Sequence, residues 1–267
     1  MTWATFIPWT SSDAMGYGGA MNADQKQPAD FLLDRVLYRD GLMLVIDKPA
    51  GLPVHARPGD GAGPSLEDYF DALRFGLPRP PALAHRLDSD TTGCLVLGRH
   101  PKALRKLSKL FAEGKVEKTY WAICQGAPEK LSGSIEAALV KQKMKTGWRM
   151  MVAGADSADA KPARTTYRVL AEKGGLSFIE TKPKTGRTHQ IRVHLASIGA
   201  PILGDPLYGE LRPSERQGPM MLHARRVIIP ISKNKPAIAV EAPPPDAMAA
   251  FMEKHGFKLP DLAGTNE

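Results

Sequence analysis

Two carboxylates and a cation lie between two apolar segments in the first half of the chain. The apolar segments are Ala82–Ala84 and Cys94–Leu97, and between them come Arg86, Asp88 and Asp90. Charges placed between buried strands indicate a reactive site, unless they only pair with one another. In extended chain the two aspartates point the same way, so spacing leaves both open as nucleophile, base or turn cap.

A second polar cluster occupies residues 182–195, where a glycine-containing turn leads into a predicted helix. Lys184, Arg187 and Thr188 lie beside the backbone N–H groups of the helix start, an arrangement that suits phosphate. Within the helix, Arg192 has apolar neighbours, and an arginine in such a setting usually has a carboxylate partner. That partner is either a reactive aspartate or one half of a structural salt bridge.

Other chemistries find less support in the sequence. His189 and His194 are five positions apart, which places them roughly 140° from each other on a helix and unlike a zinc pair. Cys94 and Cys124 fall in apolar strands, where thiols are usually inert. The sequence has no Gly-x-Ser-x-Gly motif of serine hydrolases. It also has no glycine-rich motif for binding phosphate or a dinucleotide. We therefore expect neither a metal nor a cofactor.

Charge and hydropathy narrow the class of partner. The 267 residues carry a formal net charge of +8 and are 43% hydrophobic, values that favour a globular protein with a polyanionic partner. No apolar run approaches the roughly 18–20 residues that span a bilayer. The first 30 residues do not form a secretory signal. These observations predict a cytoplasmic protein that binds nucleic acid and no membrane.

Periodicity predicts an ordered domain over residues 31–260 behind a flexible leader, residues 1–30. Helices are expected over Ser65–Phe75, Pro101–Glu113, Thr188–Ile198 and Pro245–His255. Strands are more numerous and often adjoin through short turns. They are expected over residues 33–39, 42–47, 116–125, 165–170, 176–181, 221–229 and 237–240. The fold class is therefore α+β, with a largely antiparallel or mixed sheet.

Two basic segments have more than one interpretation. The cations of the helix over Pro101–Glu113 fall on one face, which is either a solvated surface or a stripe that contacts phosphates. Residues 141–162 are first basic and then small and acidic, and they form a loop or an exposed hairpin.

Together the motifs resemble the RluA family of pseudouridine synthases. The resemblance runs in family order over roughly residues 33–230. The matching segments are Asp47–His55, His85–Gly93, Lys118–Ala122, Gly186–Ala196, Pro201–Gly209 and Leu222–Ala224.

The resemblance implies a mixed, mostly antiparallel central sheet with a catalytic cleft and flanking helices. It implies conversion of uridine to pseudouridine in RNA, without cofactor or metal. It assigns the nucleophile to Asp88, the active-site tyrosine to Tyr120 and the aspartate-pairing arginine to Arg192. Leu222 matches the apolar pocket leucine, and Arg86 matches the arginine that fills the stack vacated by the target base.

Three further motif residues are expected to contact RNA: His85, Arg187 and His189. Many relatives carry an N-terminal RNA-binding module of the S4 type, for which the leader here is too short. The expected substrate is ribosomal RNA or transfer RNA, with ribosomal RNA slightly favoured, and the expected state is a monomer. Two alternatives are a catalytically silent RNA-binding domain of the same fold and a hydrolase that uses Asp88 and Asp90.

Overall fold

A computed structural model describes residues 28–56, 63–145, 147–154, 157–209, 218–232 and 234–260. Nearly all of the predicted leader lies outside these residues, as do residues 57–62. Within the described ranges, no helix is long and apolar enough to cross a membrane.

One large mixed sheet organises the described chain. Its strands and those of a separate hairpin are β1 (Val36–Arg39), β2 (Met43–Lys48), β3 (Ala82–Leu83), β4 (Thr92–Gly98), β5 (Glu117–Gln125), β6 (Ser132–Glu136), β7 (Leu139–Lys143), β8 (Trp148–Val152), β9 (Arg164–Lys173), β10 (Leu176–Pro183), β11 (Leu222–Ile229) and β12 (Ile238–Glu241). The strand order in the large sheet is β1-β2-β4-β11-β5-β10-β9-β6, with β12 paired to β11 and β3 paired to β4, while β7 and β8 form the separate hairpin.

Three α-helices flank this sheet in the described ranges: α1 (Pro101–Ala112), α2 (Gln190–Ser197) and α3 (Asp246–Lys254). The α+β prediction is confirmed. Residues 141–162 were expected to form a loop or an exposed hairpin, and the structure has the β7–β8 hairpin there, which begins at Leu139. Two predictions for the first part of the chain were wrong. The strand expected from residue 33 begins only at Val36, after a 3-10 turn over Leu33–Arg35.

The second difference concerns the helix predicted after Ser65, which is a 3-10 helix over Leu66–Arg74. Its predicted start is nevertheless present as a capping box. The Asp68 carboxylate accepts from the Ser65 backbone N–H at 2.8 Å and from the Ser65 hydroxyl at 3.1 Å. Four apolar side chains of the segment are buried, so packing holds it in place.

The sheet is covered on both faces because its central strands bury alternate residues on opposite sides. In β2, Leu44 and Ile46 belong to one apolar cluster, while Met43 and Val45 belong to the other. All seven residues of β4 are buried. Full burial of such side chains contributes about 1.5–3 kcal/mol each, which makes these strands a rigid support for the segment before β4.

A buried lysine fixes the loop that precedes β4. Lys48, at the end of β2, has no exposed surface, and its ammonium donates to three carbonyl oxygens. The acceptors are Pro49 at 2.8 Å, Ser89 at 2.6 Å and Thr91 at 3.1 Å. Burial lowers the pKa of Lys48 to about 7, although the charges of nearby aspartates oppose this change. Its hydrogen bonds hold the backbone on both sides of Asp90.

A glycine closes the junction between β4 and β11, the parallel pair of the sheet. Gly93 lies opposite Ala224 and has a φ of 100°, in the region that side-chain-bearing residues rarely adopt. A Cβ at this position would lie 2.9 Å from His223 Cε1 and closer still to the Ala224 carbonyl. Only glycine fits here without moving one of the two strands.

We therefore expect Gly93→Ala to lower the free energy of unfolding by about 2–4 kcal/mol, through overpacking and backbone strain. Gly41→Ala is the matched control, because a Cβ there meets nothing within 4 Å. It should change stability by less than about 1 kcal/mol. Urea denaturation of the two variants measures the difference, and equal midpoints would contradict the packing described for Gly93.

Candidate active site

A cavity of about 680 Å³ opens beside β4, β5 and β11, within the size range of small-molecule sites. Its wall includes the segment before β4, the end of α1, and the start of β5. The turn from β10 into α2 and the first residue of β11 complete it. Residues of both polar clusters therefore line a single cavity.

Asp88 lies in this cavity with its side chain 25% exposed. Its Oδ2 accepts a hydrogen bond from Arg192 Nη1 at 3.1 Å and lies 3.9 Å from His189 Nε2. Its Oδ1 receives no hydrogen bond from the described part of the chain. One carboxylate oxygen is thus held by a cation, and the other is available to a substrate.

Arg192 is itself held by a second carboxylate. Its Nε donates to Asp205 Oδ2 at 2.7 Å and its Nη2 to Asp205 Oδ1 at 2.8 Å, a bidentate pair. Both side chains are almost fully buried. Burial disfavours the guanidinium charge, but the bonds and charges of Asp205 and Asp88 outweigh it and raise the pKa of Arg192. Arg192 therefore stays a cation in a position fixed from behind.

Tyr208 connects this pair to the β7–β8 hairpin. Its ring lies 5.1 Å from the Arg192 guanidinium carbon, in cation–π contact. Its hydroxyl accepts from the Met150 backbone N–H at 3.0 Å and lies 2.8 Å from His189 Nδ1. His189 precedes α2 with a φ of 53°, so α2 begins at Gln190 and not at Thr188 as predicted. The contact with Tyr208 holds this unusual conformation.

Asp205 and Tyr208 lie in the motif Pro201–Gly209, but the sequence alone assigns them no role. A signal was present in the sequence. Asp205 follows the apolar residues Ile202 and Leu203, and a carboxylate in buried surroundings requires a cationic partner. Arg192 required a carboxylate for the same reason.

The structure separates the two aspartates that spacing left equivalent. Asp88 lines the cavity, whereas Asp90 does not. The charge of Asp90, like that of Asp88, acts on the buried ammonium of Lys48. Asp88 is therefore the carboxylate that a ligand in the cavity meets.

Tyr120, Leu222 and Arg86 also line the cavity. Burial, together with the charge of Asp88, raises the pKa of Tyr120, so its phenol is protonated at neutral pH. Leu222 is 3% exposed and lies opposite Ala122 of β5, which makes it part of the apolar floor. Arg86 is exposed at the wall of the cavity.

His85 lines the cavity with a ring already engaged by the fold. Its Nε2 accepts from the Val96 backbone N–H at 3.0 Å, and its ring stacks on Phe111 with centroids 4.1 Å apart. Burial, with a smaller effect of Lys118, lowers the pKa of His85 to about 3. The imidazole is therefore neutral, and it supports the backbone beside Arg86 and does not add charge.

The turn from β10 into α2 supplies cations on the other side. Arg187 lines the cavity, is exposed, and donates from Nε to the Pro162 carbonyl at 3.1 Å. Gln190 fixes the turn, since its Oε1 accepts from the Arg187 backbone N–H at 3.0 Å and from the Thr185 hydroxyl at 2.7 Å. The Gln190 side chain thus satisfies a backbone N–H group in the turn that leads into α2.

Lys118 is a cavity residue to which the sequence reasoning gave no role. Its ammonium donates to the Thr185 carbonyl at 3.2 Å. Burial, and then the charge of Lys184, lowers the pKa of Lys118 to about 8. Together with Arg86 and Arg187 these lysines make the opening strongly basic. No group of three His, Cys, Asp or Glu side chains that could hold a metal occurs among the described residues.

Comparisons with known proteins identify the family of this chain. The sequence profile of the RNA pseudouridylate synthase family matches residues 42–197. An uncharacterized RNA pseudouridine synthase of Zymomonas mobilis is 48% identical over 218 residues, covering 81% of this chain and 96% of the relative. Ribosomal large subunit pseudouridine synthase D of Nitrosomonas europaea is 33% identical over 253 residues, covering 92% of this chain and 72% of the relative.

The fold is similar to that of a solved human protein, RNA Pseudouridylate Synthase Domain Containing 4. The TM-score is 0.73 at 29% identity, over 87% of this chain and 97% of that one. The chain belongs to the RNA pseudouridylate synthase family, and it is therefore an isomerase that acts on RNA. The family predicted from the sequence motifs is confirmed.

The pairing of Arg192 with Asp205 predicts the effect of a conservative change. Asp205→Asn keeps an acceptor for the backbone N–H groups of Leu207 and Tyr208 but removes the charge that fixes Arg192. We expect kcat to fall about 10- to 100-fold with little change in KM. Asp205 positions Arg192, and Arg192 in turn positions the Asp88 carboxylate. The free energy of unfolding should fall by about 2–3 kcal/mol.

The control for Asp205→Asn is Asp71→Asn, which breaks an exposed ion pair with Arg74. Such pairs contribute little, so this variant should match the wild type in activity and melting temperature. An Asp205→Asn enzyme with wild-type kcat would show that Arg192 does not depend on Asp205.

The lowered pKa of Lys118 predicts a pH dependence of RNA affinity. If the Lys118 ammonium binds an RNA phosphate, its contribution to affinity is present below pH 8 and is lost as the pH rises through about 8. Between pH 7 and pH 9, affinity should fall about three- to tenfold at constant salt. Lys118→Arg keeps its charge throughout, and filter binding should show a flatter profile. Identical profiles for the two proteins would contradict the role of Lys118.

Proposed function

We propose that this protein converts specific uridines in ribosomal RNA to pseudouridine, with the Asp88 carboxylate as the nucleophile. The single observation that carries the proposal is the position of Asp88, held in the cavity by Arg192 at 3.1 Å with Oδ1 unbonded by described residues. The choice of ribosomal RNA rests on relatives such as the large-subunit synthase of Nitrosomonas europaea.

Entry of the target requires that the uridine leave its stack, which costs a few kcal/mol and least in a loop or bulge. Lys118, Lys184 and Arg187 bind phosphates at the opening, and Arg86 occupies the space left by the flipped base. Leu222 contacts the uracil ring from the apolar floor. Basic and apolar walls thus hold the phosphates and the base of one nucleotide.

The chemical step starts from ionised Asp88, which attacks either C1′ of the ribose or C6 of the uracil. The N1–C1′ bond breaks, the uracil turns within the cavity, and C5 bonds to C1′. The bond to Asp88 is then broken, the proton on C5 leaves, and N1, which has lost its bond to C1′, takes up a proton. Reactants and products have the same atoms, so no external oxidant or reductant enters the balance.

The environment of Tyr120 favours one acceptor for the C5 proton. Its phenol is protonated at neutral pH, so it is poorly suited to act as a base. We assign proton removal to the Asp88 carboxylate once it is released, and packing against the uracil face to Tyr120. Arg192 supplies the positive charge that keeps Asp88 available as an anion.

The rival functions find less support. A catalytically silent RNA-binding domain has no need of a buried Arg192 clamped between Asp88 and Asp205. A hydrolase that pairs two aspartates needs Asp90 in the cavity, which it does not line. We further propose that residues 31–260 form the catalytic domain and that the protein acts as a monomer in the cytoplasm.

Tritium release from C5-labelled ribosomal RNA tests the proposal. Wild type and Asp90→Asn should release tritium, while Asp88→Asn should be slower by at least about 10³-fold, because an amide is not a nucleophile here. RNA retention on filters should be similar for all three proteins. Release by Asp88→Asn would overturn the assignment, and release from transfer RNA alone would exclude ribosomal RNA as the target.

A further inference from the structure

The β7–β8 hairpin presents an aromatic ring beside the cavity that the mechanism above does not use. Trp148, at the start of β8, is 42% exposed, which is unusual for a large aromatic side chain. Its ring is nearly parallel to that of His189, with centroids 5.5 Å apart and planes 18° apart. His189 lines the cavity, so the Trp148 ring is separated from the cavity by the His189 ring.

The hairpin around this ring carries only positive formal charge. From Leu139 to Val152 the sequence has no aspartate or glutamate. It has four cations, and none of them forms an ion pair within the described part of the chain: Lys141, Lys143, Lys145 and Arg149. A surface of unpaired cations around an exposed ring matches the chemistry of single-stranded nucleic acid, whose phosphates are anionic and whose bases stack.

Lys141 orients the indole ring. Its ammonium lies 4.3 Å from the ring centroid of Trp148, in cation–π contact. The ammonium is a point charge on a flexible side chain, so it can move from the ring to a phosphate when a base binds. The ring and the charge are therefore placed for the base and the phosphate of one nucleotide.

The hairpin is also tied to the catalytic centre. The Met150 backbone N–H donates to the Tyr208 hydroxyl, and that hydroxyl contacts His189, whose Nε2 lies 3.9 Å from Asp88. A nucleotide held on Trp148 therefore lies next to the one that reacts. This arrangement distinguishes the hairpin from a general basic surface.

We propose that Trp148 is a stacking platform for an RNA base that flanks the target uridine, with Lys141 and Lys143 binding the adjoining phosphates. The proposal rests on the proposed function, because it takes RNA in the cavity as its reference. It adds a second nucleotide-binding position outside the catalytic cavity.

The first test compares Trp148→Ala with Trp148→Phe, which keeps a stacking ring. Loss of one base–aromatic stack weakens binding about tenfold, so KM and the dissociation constant of Trp148→Ala should rise by that factor. Its kcat should stay within about twofold of the wild-type value, and Trp148→Phe should bind within about threefold. Leu131→Ala, at an exposed apolar residue outside the hairpin, is the control and should bind as the wild type does.

The second test is direct and does not depend on activity. Titration with an oligouridylate of about 12 nucleotides should quench tryptophan fluorescence in the wild type, and Trp148→Phe should lose most of that quenching while still binding. Quenching that is unchanged in Trp148→Phe would overturn the proposal. So would a Trp148→Ala variant that binds normally but loses kcat, since Trp148 would then only support His189.

These outcomes are separable from failure of the proposed function. If Asp88 is not the nucleophile, Asp88→Asn still releases tritium, whatever Trp148 does. If Trp148 is not a platform, the wild type and Trp148→Ala bind RNA equally while Asp88→Asn remains inactive.

Discussion

The structure depends on one buried cation, Arg192, bound by two carboxylates. Asp205 holds the guanidinium from behind with two short bonds, and Asp88 receives a third at 3.1 Å. A buried guanidinium with one partner removed is left with uncompensated charge, which is strongly unfavourable. The position of Asp88 is therefore set by its hydrogen bond to Arg192, and removing either carboxylate partner of Arg192 destabilises the fold.

The two halves of this interaction come from distant parts of the chain, 104 residues apart in sequence. Asp88 stands on a loop held by Lys48 and by the tight contact of Gly93 with β11. Arg192 stands on α2, whose start Gln190 fixes. The buried strands between them keep both supports in register, and the cavity forms where they meet.

The sequence was sufficient for the elements with clear periodicity and unambiguous ends. Helix α1 was predicted within one residue because Pro101 begins it and an apolar stripe continues to its end. The family motifs gave Asp88 and Arg192. Spacing could not choose between Asp88 and Asp90, because the choice depends on which carboxylate lines the cavity and contacts Arg192 in three dimensions.

Other features depend on contacts between residues that are distant in the sequence. The left-handed conformation of His189 is held by Tyr208, which is 19 residues away. The role of Asp205 exists only because α2 brings Arg192 against it. The 3-10 form of Leu66–Arg74 is likewise a result of packing, since its capping box is equally compatible with an α-helix.

A double-mutant cycle between Arg192 and Asp205, measured as the single-turnover rate of pseudouridine formation, tests the central claim most directly. Because Asp205 acts only by holding Arg192, the double variant Arg192→Met/Asp205→Asn should be no slower than Arg192→Met alone. It should also be the more stable of the two, since no buried carboxylate is left unpaired. Rate losses that multiply would show that Asp205 and Arg192 act independently, and would contradict this account.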